Sequence, residues 1–133
     1  MVAQRGDIWW ASLPEPVASE PGYRRPIVVV QSDDFNRSEI RTVLAVILTT
    51  NLRLAEVPGN VLLLSRQTGL PKDCVANVSQ LVTADRSFLT ERVGNLSLSL
   101  LERIEDGLRL ILELWNLVGS SRSFRALSRF GAV

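Results

Sequence analysis

From Gly6 to Val82 the apolar residues of this chain come in short runs, each cut off by Gly, Pro or a polar cluster, and that punctuation favours β-strands over helices. A first strand is expected over residues 6–13, carrying Ile8, Trp9 and Trp10 and ending at Pro14. An exposed, Pro-rich loop over 14–22 leads to a buried strand over 25–31, and Ser32 to Asn36 reads as a polar turn. Further strands are expected over 42–50, over 61–64 after the turn Pro58-Gly59-Asn60, and over 74–82 after the turn Thr68-Gly69-Leu70-Pro71. Short strands at this spacing point to a small β-barrel.

The period then changes. Leu101, Ile104, Leu108, Ile111, Leu112 and Trp115 recur at three- and four-residue steps, one apolar face of an amphipathic helix that would pack on the barrel. Ser97 or Ser99 would cap it, and Ser99 with Glu102 has capping-box spacing. Beyond the helix, Gly119-Ser120-Ser121 breaks the pattern. The fold class expected is therefore β-rich α+β: one domain over 1–116, a barrel with a C-terminal amphipathic helix, then a basic, weakly ordered tail over 117–133.

Residue usage removes whole classes of chemistry. The chain has no histidine and one cysteine, Cys74, which excludes the common zinc sites, the serine-hydrolase triad, a Cys–His dyad and an internal disulfide. Cys74 lies in an apolar stretch, where a small strand residue is the simpler reading. No apolar run is long enough to cross a bilayer, and the first residues lack the apolar core of a secretion signal, so a cytoplasmic location is expected. The net charge of +1 argues against a generic polyanion binder.

What chemistry remains gathers around Tyr23-Arg24-Arg25-Pro26. Pro26 biases Arg25 toward extended backbone, and a guanidinium held in place reads phosphate through its planar fork. Glu20 stands five residues before Arg25, and Thr49-Thr50-Asn51 closes the longest apolar strand. A carboxylate, guanidinium groups and hydroxyls together suit phosphoryl transfer on RNA. The 2′-hydroxyl must lose a proton and attack phosphorus in line, the 5′-oxygen must gain one, and the phosphorane needs cations. Arg25, aided by Arg24, would hold the non-bridging oxygens, Thr49 would donate to phosphate or leaving oxygen, and Glu20 is the candidate base. Each also has a plain alternative as a solvated charge or a good strand former.

The order Arg5-Gly6-Asp7-Ile8-Trp9, Ser19-Glu20-Pro21-Gly22-Tyr23-Arg24-Arg25-Pro26 and Val29-Val30-Gln31-Ser32-Asp33 resembles the N-terminal half of the MazF/PemK family of toxin endoribonucleases. Leu48-Thr49-Thr50-Asn51, Thr68 to Asp73 and Asn77-Val78-Ser79-Gln80-Leu81 continue the resemblance, which runs from about Arg5 to Leu114. It implies a PemK-like, SH3-related barrel assembled as a homodimer. It also implies sequence-specific, metal-independent cleavage of single-stranded RNA to 2′,3′-cyclic phosphate and 5′-hydroxyl ends, without a cofactor, and neutralisation by a cognate antitoxin protein. On this resemblance Arg25, Thr49 and Glu20 are catalytic and Ser79 and Gln80 lie near the RNA groove; Arg24, Thr50 and Asn51 are further candidates for RNA contact. The loop departs from many relatives in having Ala18 before Ser19-Glu20. Two other readings stay open: a gyrase-poisoning toxin resembling CcdB, and a catalytically silent SH3-like binding module.

Overall fold

The computed structural model describes residues 2–14 and 23–114. Six antiparallel strands form one curled sheet in the order β4-β5-β3-β2-β1-β6. They are β1 (Asp7–Leu13), β2 (Tyr23–Val29), β3 (Thr42–Thr49), β4 (Val61–Leu63), β5 (Cys74–Asp85) and β6 (Leu89–Asn95). Among the described residues three α-helices accompany them, α1 (Asp33–Asn36), α2 (Ser65–Thr68) and α3 (Leu98–Leu112), with 3₁₀ turns at Leu52–Glu56 and Arg86–Phe88. Among the described residues no helix is long and apolar enough to cross a membrane.

Alternation along the strands sorts the apolar residues into two cores. Ile8, Val28, Val46, Leu48, Val61, Leu63, Ala76 and Val78 face α3, whose Ile104 is completely buried among them. Trp9, Ala11, Ile27, Val29, Val43, Ala45 and Ile47 line the other face. Curling covers both faces. A bulge in β5 contributes to the bend: Val46 pairs with Leu81 but Ile47 with Asn77, so residues 78–80 have no opposite number. At the seam between the first and last strands, α2 meets β6 so closely that a Cβ on Gly94 would lie 3.1 Å from the Thr68 carbonyl.

The expected strands are present with shifted ends. β2 begins at Tyr23, which places Arg25 inside the strand, and β5 runs on to Asp85. The expected turn at Ser32 to Asn36 is the single turn of α1, with Ser32 as its N-cap. In α3 the cap is Ser97, whose side chain accepts from the Leu100 amide at 3.3 Å, so the Ser99 capping box is not used. The helix buries Leu101, Ile104, Asp106 and Gly107, whereas Ile111 and Leu112 at its C-terminal end are exposed. Trp115 and the tail lie outside the described residues.

Arg5-Gly6-Asp7 is a structural clamp. The Arg5 guanidinium donates to the Val30 carbonyl at 2.8 Å and pairs with Glu105 on α3, tying the N-terminus to both the sheet and the helix. Gly6 sits at φ +90°, a backbone that an L side chain rarely adopts. The buried Asp7 carboxylate accepts from the Gln4 amide at 2.9 Å, Asn95 at 3.0 Å, Arg92 at 3.1 Å and the Trp9 indole at 3.4 Å. Burial, the largest single influence, pushes this carboxyl up, but the bonds from Asn95, Arg92, Gln4 and Trp9 together outweigh it and hold it below the ordinary value of 3.8.

A lowered folded pKa means the native state resists protonation. The resulting stability is present above the ordinary value and is lost as pH falls through the lowered one. Asp7→Asn would turn an amide donor toward those N–H groups, so it should cost about 1–3 kcal/mol at neutral pH. It should also flatten the decline in stability below about pH 4, read from urea titrations across pH. A variant with the same acid limb as the parent would remove Asp7 from this role.

Candidate functional site

Pro26 shapes the site as well as the strand. Having no N–H, it cannot donate to a ladder, and the β2–β3 pairing stops one residue past it, at Ile27 opposite Ile47. β3 continues to Thr49, paired there only with Val75 of β5, so the sheet opens between the start of β2 and the end of β3. Two residues beyond the Ile27–Ile47 pair, Arg25 and Thr49 flank this opening. Both share the parity of Ile27 and Ile47 and so lie on one face of the sheet, beyond that core.

Arg25 is half-buried, as is Thr49. The Thr49 hydroxyl oxygen accepts from the Asn51 amide at 3.2 Å, which fixes the oxygen and leaves its proton available to donate. The Asn51 side-chain oxygen accepts from the Arg53 amide, also at 3.2 Å, and so caps the 3₁₀ turn Leu52–Glu56. Arg24 lies on the opposite face from Arg25. Its guanidinium sits 4.4 Å from the Trp10 ring centroid and pairs with Glu91 at 2.9 Å. Glu20 lies outside the described residues.

Ser79 and Gln80 fall in the bulge of β5 and are exposed. Both bond to Asn77: Ser79 Oγ donates to its side-chain oxygen at 2.8 Å, and its Nδ2 donates to Gln80 Oε1 at 3.1 Å. Asn77 pairs with Ile47, which places it on the face of Arg25 and Thr49. Buried Asn60 completes the network, donating to the Leu54 carbonyl at 3.0 Å and to Asn77 at 3.4 Å, and accepting from the Val78 amide at 3.0 Å. Sequence reasoning passed over Asn60 and Asn77 as supports. The available signal was a carboxamide at Asn77 in an otherwise apolar stretch, Cys74 to Val78.

A pocket of about 250 Å³ lies on the other side of these strand ends, lined by Trp10, Pro26, Thr50, Leu70, Pro71, Lys72 and Cys74. Burial, with some help from Asp73, pushes the Cys74 thiol up to about 11, so it forms a neutral wall. Among the described residues no group of three or more His, Cys, Asp or Glu side chains is gathered as metal ligands would be.

Residues 4–112 match the family of PemK-like, MazF-like toxins of type II toxin-antitoxin systems. The chain belongs to this family. It is 46% identical over 114 residues to the endoribonuclease MazF6 of Mycobacterium tuberculosis, a match covering 86% of this chain and all of that protein. It is 31% identical over 114 residues to the endoribonuclease EndoA of Bacillus subtilis, covering 86% and 97%. Among solved structures, a MazE–MazF crystal structure from Deinococcus radiodurans superposes with a TM-score of 0.71 at 21% identity, covering 86% of this chain and 99% of that one. An endoribonuclease in complex with its cognate antitoxin, from a mycobacterial species, gives 0.64 at 21% identity, covering 86% and 98%. These likenesses bear out the family and the fold: a curled antiparallel sheet with a C-terminal helix.

Proposed function

We propose that this MazF-like toxin is an endoribonuclease that cleaves single-stranded RNA at Arg25 and Thr49, sequence-selectively and without a metal ion. The observation that carries the reading is the opening beside Pro26, where a half-buried guanidinium and an oriented hydroxyl share one face of the sheet. The 46% identity to an endoribonuclease along that relative's whole length supports it.

The 2′-oxygen attacks phosphorus as its proton passes to a base, for which Glu20 is the candidate. The bond from phosphorus to the 5′-oxygen breaks, and that oxygen takes up a proton, leaving 2′,3′-cyclic phosphate and 5′-hydroxyl ends. Arg25 stabilises the added charge on the non-bridging oxygens through the planar fork of its guanidinium. Thr49 donates to the same group. Arg24, Thr50, Asn51, Ser79 and Gln80 contact RNA on either side, the last two through the bulge held by Asn77.

The catalytic unit is residues 1–116, acting as a homodimer in the cytoplasm, with 117–133 as an appended basic tail. A cognate antitoxin protein is the regulating partner, a role supported by the antitoxin complexes among the structural neighbours. Thr49→Val keeps the branched strand former and removes only the hydroxyl. It should lower kcat/KM on a defined single-stranded RNA by roughly 10–100-fold with an unchanged melting curve. A rate within twofold of the parent would take Thr49 out of the chemistry.

A further inference from the structure

The pocket beyond Pro26 is joined to the proposed cleavage site through two pairs of consecutive residues. Arg25 and Thr49 face one side of the sheet, whereas their neighbours Pro26 and Thr50 line the pocket. The site and the pocket lie on opposite faces of the sheet, so an RNA strand whose phosphate sits at Arg25 brings the adjoining nucleotide to the pocket mouth by crossing the opening between the start of β2 and the end of β3. At about 250 Å³ the pocket is several times the ~30 Å³ share of a water molecule, and it takes a ring system. Trp10, Pro26 and Pro71 supply flat apolar walls, and Arg24 stacked on Trp10 holds the indole in place. Lys72 is the single formal charge in the lining, an exposed ammonium with hydrogens to donate and nothing to accept with. A mainly apolar slot in which Lys72 is the one charged donor, beside the Thr50 hydroxyl, suits a heterocycle carrying a carbonyl.

We propose that this pocket seats the base of a nucleotide adjoining the scissile phosphate, and that Lys72 favours a keto base such as uracil or guanine over adenine, the one base without an exocyclic oxygen, by donating to that oxygen. The proposal rests on the nuclease reading and adds to it a specificity-determining residue outside the catalytic group. Splayed single-stranded bases read on their edges are the usual basis of sequence-specific RNA recognition.

The test uses the full chain and Lys72→Met, which keeps the length of an exposed side chain and removes its charge. The substrates are short RNAs that share one mapped cut site and differ only at the two flanking nucleotides: uracil, guanine, adenine or an abasic residue. At one flank the parent should favour a keto base over adenine, and over the abasic residue, by roughly 10–100-fold in kcat/KM. In Lys72→Met the keto preference should fall to within about threefold, while the abasic substrate is cut at the parental rate. A keto preference unchanged in the variant, or absent from the parent at both flanks, would overturn the proposal and leave the pocket to an apolar side chain of a protein partner. RNA left intact by the parent would overturn the nuclease reading and this one with it, an outcome distinct from cutting without base preference.

Discussion

Arg25→Ala is expected to lower kcat on single-stranded RNA by roughly 10²–10³ while the melting transition stays in place, by analogy with loss of one oxyanion donor. The size of the loss follows from where β2 holds the residue. Pro26 and the Ala11–Arg25 pairing fix its backbone, so the guanidinium is positioned before substrate arrives and little reorganisation accompanies the reaction. Arg25→Lys should recover only part of the activity, because an ammonium supplies charge without the planar fork that meets two phosphate oxygens. Initial rates on one defined substrate, with thermal melts in parallel, separate this from a folding defect. A folded Arg25→Ala protein within a few-fold of the parent would place the phosphate elsewhere.

Gly107→Ala is expected to destabilise the protein by about 2–4 kcal/mol, although the same change in an ordinary helix interior stabilises by roughly 0.5–1 kcal/mol. The sign reverses because α3 crosses the turn at Gly59 backbone to backbone. A Cβ on Gly107 would lie 2.0 Å from the Gly59 carbonyl oxygen and 2.9 Å from its carbonyl carbon, and neither is the end of a flexible side chain. Gly59 itself sits at φ +94°, so the turn has little freedom to yield. For a domain of about 100 residues the loss should lower the melting temperature by on the order of 10–20 °C. Asn60, next in the chain, orients the Asn77 network, so activity at low temperature should fall too. A melting temperature at or above the parent's would mean that helix and turn separate at no cost.

The elements legible in the sequence were those whose apolar residues are buried on one or both faces. β1, β3 and β5 announce themselves by such runs, and α3 by its spacing. β6 was not legible, because Glu91 and Arg92 lie on an edge strand with little buried surface and break the apolar pattern. α1 and α2 are single turns, too short for periodicity to register. The stripe along α3 overshot, since Ile111 and Leu112 keep the period but run past the barrel that the helix covers.

At the site, Arg25, Thr49 and Pro26 were legible as residue types, and their place on either side of one opening came from the β2–β3 register, which no local pattern encodes. The separation of Arg24 from Arg25 follows from strand alternation once β2 is known to begin at Tyr23. The bulge at 78–80, the bonds of Asn60 and Asn77, and the contact of Gly59 with Gly107 are tertiary facts. In the sequence they are only small and amide residues with no evident task.

The most direct test of the central claim is to incubate the purified full chain with a long, weakly structured RNA in EDTA and map each new end and its chemistry. The account predicts recurrent cuts at one short sequence, each leaving a 5′-hydroxyl and a 2′,3′-cyclic phosphate. RNA that stays intact, or is cut only when a divalent metal is restored, would contradict it.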